Sequence, residues 1–382
     1  MLDGVNVALG VTGSIAAVKV VELAHELRRQ GAEVRAVMTP AAGDIVHPWA
    51  VEFATESEVV TELTGSVEHV ELCGRDGWAD VLLVAPMTAN TAGKIAAAID
   101  DTPVTTCATT ALGAKLPVVA VPAMHAPMYD HPGVIAALER LESWGVSVVD
   151  PRLEEGKAKI AREGDVVTAV ARATTPQTLR GKHVVVTAGA TKERLDPIRI
   201  VTNRASGKTG RAIARACHVR GADVTLVQDG PDVAYADVLE VETAAEMIEA
   251  TVEACRTADA LVSAAAISDF TADAVAEKIR SGSPLQLDLE PTPKLIDTVR
   301  DRYPELPIVG FKAETADADE EMIREARRIR DRVGLAFVVA NDAAVMGADE
   351  TRVLLVDDDV VELSGTKTAV AGGVADELAR RI

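Results

Sequence analysis

Short unbroken apolar runs alternate along this chain with longer segments of mixed polarity. The first run, VNVALG at residues 5–10, leads into a Gly-rich turn, a helical segment, the stop RQGA and a second run, EVRAVM. That order of strand, turn, helix and strand is the grammar of a βαβ unit. It begins again at residue 182 with KHVVVTAG and closes in VRGADVTLVQ, but a long excursion separates this strand from its helix. Further apolar runs, ADVLLVAPM and KLPVVAVPA, then ADALVSAAA, PIVGFKAE and LAFVVAND, stop at polar loops. Such runs read as parallel strands buried on both faces, with ligands at their C-terminal ends. The pattern predicts an α/β protein of two tandem doubly wound, Rossmann-like domains. The stretch ARATTPQTLRGKH has no periodicity and carries a Pro, which places the boundary near residue 178, between domains of 1–178 and 179–382.

Composition narrows this picture. Of 382 residues, 48% are hydrophobic but only 3% aromatic, so the core is built from Ala, Val, Ile and Leu. The net charge is −20, and Arg clearly outnumbers Lys. An acidic, Lys-poor surface suits a salty cytoplasm. It speaks against nucleic acid as a partner, since phosphate backbones need a basic footprint. It also means that any phosphate must be held by cations placed locally. Cys73, Cys107, Cys217 and Cys255 form no CxxC pair and fit no zinc spacing, as expected of a reduced cytoplasmic protein without a protein-held metal. The N-terminus lacks a basic signal-peptide region, and no apolar run approaches the ~20 residues of a membrane span.

In the first half, GVTGSIAAVK sets Gly13 and Ser14 at a helix start, where N–H groups, a hydroxyl and the helix dipole can meet a phosphate. The spacing is not GxGxxG, so a mononucleotide such as FMN fits better than a dinucleotide; a tight turn without ligand is the alternative. His69 lies in EHVEL, Asn90 in APMTANT, and Met124, His125, Met128 and Tyr129 share the stretch PAMHAPMY. Together these motifs resemble the flavodoxin-like flavoprotein cysteine decarboxylases that bind FMN. The resemblance implies that Gly13, Ser14 and Thr39 hold the flavin phosphate, with Asn90 also at the cofactor. It makes His69 the base and residues 122–129 the substrate loop. Losing CO₂ needs an electron sink, which that family creates by flavin oxidation of the thiol side toward a thioaldehyde. A histidine near neutrality can move the proton. Two departures stand out: His125 and Tyr129 replace the family's usual Asn and Trp. No cysteine occurs between Cys107 and Cys217, where the family carries a proton-donating one. The segment EEGKAKIAREG offers Lys157 and Lys159 instead, and His125 is the preferred donor, with Lys157 second.

In the second half, TNRASGKTG at residues 202–210 ends like a P-loop, but Thr202 stands where that motif needs glycine. With TAGATKERLDPIRIV before it, and AAAISDF, EKI, GFKAET and VANDA after it, it resembles the phosphopantothenate–cysteine ligases. The resemblance implies that Asn203 and Lys278 are catalytic, Lys278 also binding the nucleotide. Ser206, Gly207 and Lys208 would meet phosphate at a helix start. Asp269 would accept from the ribose, and Phe311 would flank the base. Ala265, Ala266, Pro293, Lys294, Leu295 and Ile296 would line the nucleotide site, and Arg327 is a looser match to a distal phosphate ligand. Where the family has further lysines after Lys278, this chain has Arg280 and Ser281. Independently, Lys192, Lys208, Lys278, Lys294 and Lys312 all fall at predicted loops of this half, where an acidic protein would need them.

Decarboxylase followed by ligase is the order of the bifunctional proteins of coenzyme A biosynthesis. The resemblance implies 4'-phosphopantothenate, cysteine and CTP as substrates, an acyl-cytidylate intermediate, and Mg²⁺ held mainly by the triphosphate and water. It also implies homo-oligomers, with a trimeric first domain, a dimeric second domain and a dodecamer from their combination. Two rival readings are a flavin-binding regulatory protein and a pyridine-nucleotide oxidoreductase. The first tends to carry acidic extensions, and the second wants GxGxxG with an acidic residue ending the second strand, where AVMT stands here.

Overall fold

The computed structural model describes residues 1–154, 157–280, 285–314, 319–342 and 350–382. The chain forms two compact units, Met1–Thr175 and Pro176–Ile382.

In the first unit the main strands are β1 (Asn6–Val11), β2 (Glu33–Met38), β3 (Val81–Met87) and β4 (Val118–Pro122). Two short strands follow, β5 (Met124–His125) and β6 (Ser147–Val148), then a hairpin of β7 (Arg152–Glu154) and β8 (Lys157–Lys159). The central sheet is parallel, in the order β2-β1-β3-β4-β6. β3 is buried at all seven positions, which is why it reads as a continuous apolar run. One face carries Ala8, Leu82, Val84 and Ala120 against Cys107, Ala108, Leu138 and Leu141 from the helices Pro103–Ala114 and Pro132–Ser143. Pro103 at the first position and a Thr102–Thr105 capping box start the first of these helices.

The second unit holds β9 (His183–Ala188), the hairpin β10 (Lys192–Arg194) and β11 (Ile200–Thr202), β12 (Asp223–Gln228), β13 (Asp237–Glu240) and β14 (Ala260–Ser263). The short pair β15 (Phe270–Thr271) and β16 (Glu290–Pro291) precedes β17 (Ile308–Glu314), β18 (Phe337–Asp342), β19 (Glu350–Val356) and β20 (Val360–Thr366). The large sheet runs β13-β12-β9-β14-β17-β18-β19-β20, with every pairing parallel except the last two, in which β19 runs against both its neighbours. Strand alternation splits its core. Val184 and Val186 face the helices Lys208–Val219 and Lys367–Ala379, while Val185 joins a cluster on Ala244–Ala254, Leu295–Arg302 and Asp319–Val333. Each such fully buried Val or Leu contributes roughly 1.5–3 kcal/mol.

The two RQGA-like stops have one physical cause. Gly31 and Gly221 both sit at φ +99°, directly after their helices, in the region that only glycine enters freely. All four cysteines are buried and free. No described helix is long and apolar enough to cross a membrane.

Candidate active sites

β1 ends at Val11, and the turn through Gly13 enters a short 3-10 helix, Ile15–Lys19. Gly13 is demanded by a close approach: a Cβ there would lie 2.6 Å from the Cβ of Ala41 and 3.0 Å from its carbonyl carbon. Ser14 caps the 3-10 helix, accepting from the Ala16 N–H at 3.3 Å and donating to the Ala123 carbonyl at 3.0 Å. Thr12 Oγ1 donates to the Pro86 carbonyl at 2.7 Å and accepts from the Thr88 N–H at 3.1 Å. These bonds stitch the C-terminal ends of β1, β3 and β4 together. A cavity of about 460 Å³ opens there, bringing Gly13, Ser14, Met124, His125 and Met128 into one wall system. Lys159 lines it as well, together with Lys19, Thr88 and Arg152, which the sequence reading passed over.

The stretch 122–129 is a short strand followed by a single helical turn, Ala126–Tyr129. β5 pairs antiparallel with β8, Met124 opposite Ala158 and His125 opposite Lys157. The β7–β8 hairpin thus forms a wall beside the stretch 122–129. Arg152 and Lys159 share the carboxylate of Glu154, at 3.3 and 3.2 Å. Glu155, Gly156 and the side chain of Lys157 lie outside the described residues.

Four predicted residues do not line this cavity. Thr39 is buried, capping the turn Pro40–Gly43 through the Ala42 N–H at 3.3 Å. Asn90 is exposed on the first turn of the helix Ala89–Ala96. Tyr129 packs on the core, and burial, then the charges of Asp150, Glu142 and Asp130, pushes its phenol above the usual 10. His69 lies in a six-residue helix, Glu68–Cys73, half-buried, with Nδ1 buried and, among the described residues, without a hydrogen-bond partner. A buried ring nitrogen left unpaired is uncommon and calls for an explanation.

In the second unit Gly189, at φ +90°, opens the excursion that β10 and β11 fold into a hairpin. It returns at Asn203, whose amide donates to the Ala266 carbonyl at 2.7 Å while its oxygen accepts from the Ala205 N–H at 2.9 Å. The Ala266 N–H donates back to Gly189 at 2.9 Å. Gly207, at φ +69°, packs against Gly189, where a Cβ would come within 2.8 Å of its nitrogen. The helix Lys208–Val219 starts there, with Ser206 and Lys208 exposed beside its free N–H groups. TNRASGKTG is therefore the return of an excursion onto a helix start, not a loop that leaves a strand directly.

A second cavity, of about 300 Å³, lies beside β14 and β17. Ala265, Asp269, Pro293, Lys294, Leu295, Ile296 and Phe311 line it, with Lys312 and Arg332. Asp269 is ion-paired to Lys294, and Arg332 meets both oxygens of Asp297 at 3.0 Å. Arg332 was missed in the sequence because nothing local distinguishes it from the other arginines of its helix. Arg327 turns elsewhere, donating to the carbonyls of Asp357 and Asp358 at 3.3 and 2.9 Å. Lys278 is exposed on a loop and does not line the cavity, and Ala266 contributes its backbone to Asn203 rather than a wall.

Comparison with known proteins bears on both units. Residues 1–175 match the family described as Flavoprotein, and residues 179–382 match the DNA/pantothenate metabolism flavoprotein C-terminal domain. The coenzyme A biosynthesis bifunctional protein CoaBC of Thermococcus kodakarensis is 49% identical over 389 residues, covering 100% of this chain and 96% of its own. The chain belongs to the CoaBC family. The CoaBC of Methanocaldococcus jannaschii is 33% identical, over 100% of this chain and 95% of that one. Among solved structures, the C-terminal domain of a CoaBC aligns with 53% of this chain and 97% of its own, at 28% identity and a TM-score of 0.46. In this CoaBC-family chain each unit carries its own cavity beside its own strands.

Proposed function

We propose that this chain performs two consecutive steps of coenzyme A biosynthesis, with ligation in the second unit and decarboxylation in the first. The observation that carries this is the 49% identity to a CoaBC along the whole chain, both units included. Ligation joins cysteine to 4'-phosphopantothenate at the expense of CTP. Decarboxylation of the resulting phosphopantothenoylcysteine yields 4'-phosphopantetheine and uses FMN.

The residues of the first cavity fit FMN. Gly13 offers a backbone N–H group, Lys19 a cation, and Ile15, Ala123, Met124, Met128 and Ile160 an apolar wall. Bound there, the flavin would supply the redox partner for the thiol-bearing end of the substrate. Met124 and Met128 shape the substrate's apolar path, and His125, exposed at the wall, is placed to hand over a proton. His69 takes a proton as base. It stands outside the cavity of its own chain with Nδ1 unpaired, which supports a site completed between subunits. Ile15, Trp49 and Phe53, 76%, 77% and 75% exposed, supply apolar surface for such a contact, and so do Ile198, Leu285, Leu287 and Leu289 in the second unit. In this reading the first unit forms trimers and the second dimers, combining into a dodecamer in the cytoplasm.

In the ligase step the substrate carboxylate attacks the α-phosphorus of CTP and releases pyrophosphate. The cysteine amine then displaces CMP from the acyl-cytidylate. Asp269 accepts from the ribose once its pairing with Lys294 opens, and Phe311 flanks the base. Lys208, Lys278 and the helix start at Ser206–Gly207 neutralise phosphate, and Asn203 holds the acyl-cytidylate. Mg²⁺ rides on the triphosphate. The test is direct: the purified chain should be yellow. Given phosphopantothenate, cysteine and each nucleotide in turn, it should release pyrophosphate and CO₂, most readily with CTP. A colourless chain that releases neither would refute the assignment.

A further inference from the structure

Asp196 sits in the turn between β10 and β11, 3% exposed. Its first oxygen accepts from the N–H groups of Ile198 and Arg199 at 2.7 and 2.8 Å. That much makes a local turn. The second oxygen does something a turn does not require. It accepts from the Ile279 N–H at 3.0 Å, 83 residues away, and from the Arg199 guanidinium. The same Arg199 Nη1 donates to the Ile279 carbonyl at 3.0 Å. One residue, Ile279, is therefore held at both its N–H and its C=O, and so at the two peptide units that flank it, as a neighbouring strand would hold it. The Val275 N–H donates to the Leu195 carbonyl at 3.0 Å and lays the rest of the run on the same turn.

We propose that the buried carboxylate of Asp196 is the positioning residue that sets Lys278 toward the nucleotide, by fixing the adjoining peptide of Ile279. The inference rests on the ligase reading. Lys278 lies in the run 272–280, which forms neither helix nor strand, and its side chain is exposed. A lysine has a long flexible stem, so what the protein can fix is its backbone. The same turn continues through β11 to Asn203, so one carboxylate registers both segments against each other. Burying a carboxylate is costly unless its lone pairs are filled. Here four donors fill them, two of which hold or accompany the Ile279 peptide.

The test uses the full chain and a double-mutant cycle of Asp196→Asn and Lys278→Gln, read as ligase turnover and as calorimetric CTP affinity. Each single variant should lose at least ten-fold in kcat/KM for CTP. The double variant should be no worse than Lys278→Gln alone, because Asp196 acts through Lys278. Amide exchange over 275–280 should accelerate in Asp196→Asn, while CO₂ release from supplied phosphopantothenoylcysteine stays unchanged. Losses that multiply in the double variant, or an Asp196→Asn chain within two-fold of wild type, would overturn the proposal. Should Asp196→Asn not fold, Arg199→Leu removes the donor to the Ile279 carbonyl and enters the same cycle. A wild-type chain that binds CTP but does not ligate would sink the ligase reading instead, and the cycle is then read in CTP affinity. Failure of the wild type to bind CTP would sink both.

Discussion

Replacing Gly13 by alanine tests the first site at its tightest point. The new Cβ would lie 2.6 Å from the Ala41 Cβ, 3.0 Å from its carbonyl carbon and 3.1 Å from its oxygen. Ordinary carbon contacts lie at about 3.5–4.0 Å, so the turn must give by about 1 Å. Ala41 cannot yield cheaply. It belongs to the turn Pro40–Gly43, which is capped by Thr39, whose own N–H is bonded to the Val11 carbonyl at 3.0 Å. Overpacking of this kind costs roughly 1–3 kcal/mol, and a displaced turn would no longer present the Gly13 N–H to the flavin phosphate proposed there. Gly13→Ala should therefore destabilise the first unit by that amount and weaken flavin binding by about ten-fold or more, since each decade is about 1.4 kcal/mol. Urea unfolding and fluorescence titration of FMN read the two effects. Gly43→Ala is the control, because a Cβ there meets nothing within 4 Å. It should change stability by less than about 0.5 kcal/mol. Wild-type stability and flavin affinity in Gly13→Ala, or equal damage in Gly43→Ala, would refute the argument.

Three more outcomes are expected. Lys278→Gln should abolish most ligase activity, with a loss on the order of 2 kcal/mol in nucleotide binding, and spare decarboxylation; unchanged CTP affinity and turnover would count against Lys278. His125→Asn removes the imidazole from the cavity wall but leaves a side chain that can still hydrogen-bond. CO₂ release should survive while the unreduced enethiol product accumulates; a normal yield of phosphopantetheine would exclude His125 as donor. Burial pushes the thiols of Cys217 and Cys255 up to about 12, and all four cysteines are buried. A thiol reagent at pH 8 should therefore label none in the native chain and all four after denaturation, and rapid native labelling would contradict the packing.

Much of this protein is determined by local pattern. Runs such as VLLVAPM are buried along their whole length, so their character survives without knowledge of their neighbours. The helix stops at Gly31 and Gly221 are likewise local, since a backbone at φ +99° asks for glycine whatever surrounds it. The glycine turn at Gly13 is legible in the same way, since it sits where a predicted strand end meets a helix, and Gly207 stands at a predicted helix start after the excursion. The residues of PTPKLI and AAAISDF were legible too, and the structure gathers many of them around one cavity.

Other features depend on contacts between distant segments. Arg332 enters the second cavity while Arg327, five residues earlier on the same helix, is drawn to the carbonyls of Asp357 and Asp358. Spacing along a helix tells which residues share a face, but not what another segment will offer them. Tyr129 packs half-buried against the core although its neighbour Met128 faces the cavity. Arg152 reaches the first cavity because β8 pairs with β5, a register fixed by hydrogen bonds between chain segments more than thirty residues apart. Asp196 reads in sequence as an ordinary turn aspartate, and the peptide it holds at Ile279 is brought to it only by the packing of the excursion against the 275–279 run. A carboxylate has two oxygens. The local sequence accounts for the partners of one, and the tertiary structure decided the partners of the other.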